Sequence, residues 1–176
     1  MCVMKKVVII TIVCFLLICI GYVYLCMKPI IYFDKPHAEY EFVSDSVYNP
    51  VDSFDFTSGK NLIILYINFE EIPYLPKNMK KWTLLKCDDN KIIECVKNKF
   101  KFKKYSEYYV GTTAPNCRVF FIKNNVIIFE SDIIIERCSV ALYFENTGWT
   151  FSANHSELLK LFSSFSPVYI PVIFKR

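Results

Sequence analysis

Glycine is scarce. Four occur in 176 residues: Gly21, Gly59, Gly111 and Gly148. A phosphate cradle needs clustered glycines, so that backbone N–H groups can converge on an anion. Four scattered residues exclude that device. Histidine is rarer, with His37 and His155 alone. The sequence contains no HExxH, no GxSxG and no CxxC pair. The spacings of a zinc protease, a nucleophile elbow and a zinc knuckle are therefore all missing. His155 and Ser156 are adjacent, so on a helix they point apart and cannot act as base and nucleophile. Asn154-His155-Ser156 does match a glycosylation sequon. The acid pairs Glu70-Glu71 and Asp88-Asp89 fall at expected strand ends or turns. No catalytic residue, cofactor site or metal site is read, and the balance leans away from an enzyme.

Charge of one sign is also lacking. The net charge is +4, and setting aside Lys5 and Lys6 leaves +2 for the remainder. Such a chain has no global basic field for nucleic acid. Apolar residues make up 53% and aromatics 17%, which excludes disorder as the main state.

Against these absences stands one long apolar run. Val7 to Met27 carries no charge over 21 residues. As a helix it reaches about 31 Å, matching a hydrocarbon layer of roughly 30 Å. The rival is a cleaved signal peptide, with Cys19 and Gly21 preceding the cut. The chain stays apolar from Tyr22 through Met27, where a cleaved peptide meets polar sequence. A retained anchor is the expectation. Lys5 and Lys6 precede the span with no acid before it, so the amino end is expected in the cytoplasm and the rest outside. The resulting division is 1–6 cytoplasmic, 7–27 in the bilayer, 28–60 a tether with an early strand, and 61–176 a β-rich domain.

Four cysteines then lie outside: Cys87, Cys95, Cys117 and Cys138. An even count in an oxidising compartment predicts at least one disulfide among them, with the pairing open.

HAEYEFV and NLIILYINF read as strands, the second fully buried. PYLPKNMKKWTLLKC is ambiguous. KIIECV and KFKFKK read as strands, joined to the preceding one by a turn at Asp89-Asn90. CRVFFIKNNVIIFESDIIIERC reads as a hairpin turning at Asn124-Asn125, with Glu130 to Asp132 breaking its second arm. SVALYF and WTF follow. NHSELLKLFSSF reads as a helix with an Asn154/Glu157 capping box, ended by Pro167. VYIPVIF closes the chain as a strand. The sum is an α+β domain, largely antiparallel, with a late helix; an all-β sandwich is the alternative.

One surface signal remains. Lys97, Lys99, Lys101 and Lys103 alternate with Asn98, Phe100 and Phe102, and Lys104 follows. On a strand the lysines share one face and the rings the other. Beside Tyr105, Tyr108 and Tyr109 such a row suits an anionic partner, or it protects a sheet edge. The functional expectation is a single-pass protein whose external domain binds without catalysis. Its partners are the bilayer through residues 7–27 and a protein, either an envelope component or an incoming toxin. The alternatives are an anchored enzyme acting on an envelope polymer and a structural or assembly subunit.

Overall fold

The computed structural model describes residues 2–27, 47–68, 75–104, 115–136, 139–144 and 147–169. The chain divides into two compact units, Met1–Asp34 with Val168–Arg176, and Lys35–Pro167. The first contains helix α1 (Cys2–Met27). Every side chain from Lys6 to Leu25 is exposed. Over that stretch the helix is apolar on all sides and uncovered, a surface suited to an apolar medium, while Cys26 at its end is buried. Among the described residues it is the one helix long and apolar enough to cross a membrane. That is compatible with a transmembrane segment or a signal anchor. Thr11 is accommodated because its Oγ1 donates to Val7 O at 3.0 Å.

The second unit is α+β. Its strands are β1 (Asn61–Ile67), β2 (Leu84–Cys87), β3 (Phe102–Lys104), β4 (Cys117–Lys123), β5 (Val126–Ile135), β6 (Val140–Phe144), β7 (Gly148–Ser152) and β8 (Ser166–Pro167). They form one sheet in the order β3-β7-β6-β5-β4-β1-β2-β8. Every neighbouring pair is antiparallel. Helices α2 (Asn90–Lys99) and α3 (His155–Ser163) share one core with this sheet. A single sheet with helices against one face replaces the sandwich alternative.

That face is built by period-2 burial. Ile63, Leu65 and Ile67 of β1 point the same way as Phe121, Phe129 and Leu142, and all are buried. Ile93 and Val96 of α2 and Leu158, Leu159 and Phe162 of α3 close over them. Phe100, just past α2, is fully buried, with ring centroids 4.7 Å from Phe102 and 5.1 Å from Phe121.

The β4–β5 hairpin turns at Asn124 and Asn125, with φ of 51° and 66°. Two successive positive φ values make the turn whose twist matches the strands, and Asn tolerates them. The tip is held to the start of β1: Asn124 N donates to Lys60 O at 2.8 Å, and Lys60 N donates to Asn124 Oδ1 at 3.1 Å. Gly59 permits this approach. At its φ of 84°, an added Cβ would lie 2.9 Å from Asn124 Oδ1.

Three expectations are corrected. KIIECV is helix α2, because Asp89 caps it, accepting from Lys91 N at 2.8 Å, rather than forming a hairpin turn. β5 runs unbroken through Glu130, Ser131 and Asp132. The irregularity lies earlier, where the register shifts between Phe121 and Ile122 and leaves Ile128 as the extra residue. The capping box at α3 is not made, since the Asn154 side chain forms no cap hydrogen bond, and the helix ends at Ser163, before Pro167. The early strand HAEYEFV and most of VYIPVIF lie outside the described residues, as do His37, Glu70, Glu71, Tyr105, Tyr108 and Tyr109.

Candidate functional site

The lysine row does not exist as a row. Lys97 and Lys99 are in the last turn of α2, where positive charge complements the helix dipole. Lys101 lies in the turn that follows, and Lys103 and Lys104 in β3. Lys97 is largely covered, its side chain 14% exposed, and pairs with Glu94 at 3.7 Å. Lys99 reaches Glu157 of α3 at 3.4 Å. Both groups of that pair are half in water, so it contributes little to stability. Lys101 and Lys103 are exposed. The Lys104 side chain lies outside the described residues. The expected burial of Phe100 and Phe102 does hold.

Lys99 and Lys101 line an open cleft of about 870 Å³. Its other walls include Tyr48, Asn49, Asp52, Asn98 and Asn154. Two asparagines tie these walls together by adding a second hydrogen bond to carbonyls of the last turn of α2, which also accept from Phe100 N and Lys101 N. Asn49 Nδ2 donates to Lys97 O at 2.8 Å, and Asn154 Nδ2 donates to Lys99 O at 3.3 Å. Asn49 Oδ1 also accepts from Val51 N at 3.0 Å, which shapes the Asn49-Pro50 turn. Tyr48 exchanges two 2.8 Å backbone bonds with Phe102, and Ala153 N donates to Lys101 O at 2.8 Å. The floor is thus rigid backbone, and its rim carries two ammonium groups, one carboxylate and several amides. The first turn of α3 opens beside it without a side-chain cap. Such a rim suits an acidic or hydrogen-bonding group of a partner. The sequence signals present were the Asn-Pro turn and the paired Asn98 and Lys99. That they meet Asn154, far along the chain, was not readable.

Cys87, Cys95 and Cys117 are free thiols. No disulfide occurs among the described residues, and Cys138 lies outside them. Cys87 pairs with Ile63 and Cys117 with Ile67, on opposite sides of β1. Four residues along and two strands across separate them by about 16 Å, too far for a bridge. Burial raises both thiol pKa values, most strongly at Cys117. Cys95 is exposed on α2.

Other singled-out groups serve local structure. Asp88 lies 2.7 Å from Lys86 Nζ, whose hydrogen bond lowers its pKa. His155 is exposed in the first turn of α3. No group of three or more His, Cys, Asp or Glu side chains converges as a metal site among the described residues. Glu130, expected from the sequence to break the second arm of the hairpin, is instead buried beside Phe120, with no hydrogen-bond partner at Oε1. No protein-family model matches the chain, and no curated protein or solved structure is detectably similar to it.

Proposed function

We propose that the chain is a membrane-anchored binding protein. Helix α1 holds it in the bilayer with the amino end cytoplasmic, and the domain presents its cleft to a protein partner outside. The observation that supports this reading is the cleft itself. Lys99, Lys101 and Asn98 converge with Asn49 and Asn154 on a rigid, open floor. Two ammonium groups and several amides around one open floor can give a partner's polar group several hydrogen bonds at once. An acidic loop or terminus of a partner is the complementary chemistry.

A photo-crosslinking residue at Ser53, exposed on the cleft rim, tests the reading in producing cells. The expected result is a discrete adduct that Lys101→Glu abolishes. The same probe at Val126, on the exposed hairpin tip, should give no such adduct. An adduct at Val126 alone, or one indifferent to Lys101→Glu, would remove the cleft from consideration. Carbonate extraction and protease accessibility of a carboxyl-terminal tag test the anchor and its orientation separately.

A further inference from the structure

The sheet has a second face, turned away from α2 and α3. Its residues follow from the register. Phe151 pairs with Lys103 on one side and Ala141 on the other, and Trp149 pairs with Tyr143. Lys103, Phe151, Trp149 and Tyr143 therefore share one corner of that face, across β3, β7 and β6. Further along the same face Phe120 is fully buried and Ile64 nearly so. The corner differs. Tyr143 is 46% exposed, the one large aromatic so exposed among the described residues of this unit. Trp149 is half-buried and Lys103 exposed. The Tyr143 and Trp149 rings meet edge to face, 5.3 Å apart, so they form one fixed amphipathic patch. An acid on the same face, Asp132, is neutralised by Arg118 at 2.7 Å.

We infer that this corner docks on the lipid headgroup surface. Tyr and Trp favour that layer because an apolar body and a polar tip fit its gradient. A lysine beside them finds anionic headgroups at the same depth. The bilayer is the occupant already at hand, because the chain carries its own apolar span. The 19 residues between Met27 and Val47 reach at most about 68 Å, so a bilayer holding α1 stays within reach of the domain. The inference rests on the reading that α1 stays in the bilayer, and it holds for either orientation.

The molecule supplies its own control. The chain has two tryptophans. Trp82 precedes β2, five strand positions from β7, about 24 Å away across the sheet. The full chain is reconstituted in phosphatidylcholine–phosphatidylglycerol nanodiscs, with and without bromine on the acyl chains near the headgroup. Trp82→Phe and Trp149→Phe each isolate one indole, and either variant suffices, since the wild type supplies the other by difference. Trp149 emission should fall roughly two-fold in brominated discs, as expected of a ring at headgroup level, while Trp82 emission stays unchanged. Lys103→Glu should reduce that quenching in anionic discs and leave neutral discs unaffected. Absent or equal quenching of the two indoles in a chain that co-elutes with the discs would overturn the inference alone. A chain that does not co-elute would overturn the anchored reading with it.

Discussion

Helices α2 and α3 lie on the same face of the same sheet and differ by one residue in length, yet their amino ends are built differently. Asp89 closes the start of α2 by accepting from Lys91 N at 2.8 Å. Asn154 occupies the same position before α3, but its amide turns away and donates to Lys99 O at 3.3 Å. One helix is capped for its own sake. The other lends its capping residue to its neighbour and leaves its first turn open beside the cleft. A residue of capping type therefore marks where a helix starts without saying what its side chain will hold.

The most disruptive way to test this arrangement is at Phe100, the ring that follows α2 into the core. Phe100→Ala should cost about 3–5 kcal/mol, read as a lower urea midpoint. A loss under about 1 kcal/mol would mean that the ring is not among Phe102, Phe121 and Phe129. The caps come next. Asp89→Ala should cost about 1 kcal/mol, and Asn154→Ala less, because no intrahelical bond is lost. The reverse order would mean that the Asn154–Lys99 tie carries more than the α2 cap.

Asp55 shows the same capping chemistry away from any helix. Its carboxylate accepts from Thr57 Oγ1 at 2.6 Å, Thr57 N at 2.8 Å and Ser58 Oγ at 3.0 Å. The Thr57 hydroxyl, then the Thr57 amide and Ser58, hold its pKa well below the ordinary carboxylate range. A folded value below the unfolded one of about 3.9 means that this stabilisation is complete above that pH. It is lost as pH falls through the folded value. Asp55→Asn should flatten the acid limb of a pH–stability curve, and an unchanged limb would show that the turn does not depend on the charge. The smallest effect belongs to the link between the helices. A double-mutant cycle with Lys99→Gln and Glu157→Gln should give a coupling of about 0.5 kcal/mol or less. A larger value would mean that the cleft rim is a rigid ion pair and less able to receive a partner's acid.

The α3 helix was legible because Leu158, Leu159 and Phe162 repeat at helical spacing with no competing pattern. α2 carried the same signal in Ile93, Val96 and Phe100. It was masked by lysines that happen to alternate across the end of the helix and into β3, so that two periods overlapped in one stretch. β1 and the Asn124-Asn125 hairpin were readable because burial on both faces and positive φ leave local marks. The bulge at Ile128 left none. It follows from fitting β5 to β4 over its whole length.

By itself the sequence determined the apolar helix, the antiparallel α+β class, the late helix and the aromatic identity of the core. Each depends on the composition and spacing of residues near one another in the chain. Only the tertiary structure decided that Cys87 and Cys117 are too far apart to pair, that Lys97 is covered while Lys101 is open, and that Asn49, Lys99 and Asn154 form one cleft. Those outcomes depend on which strands become neighbours and in what register, a matter of long-range packing that no local pattern encodes.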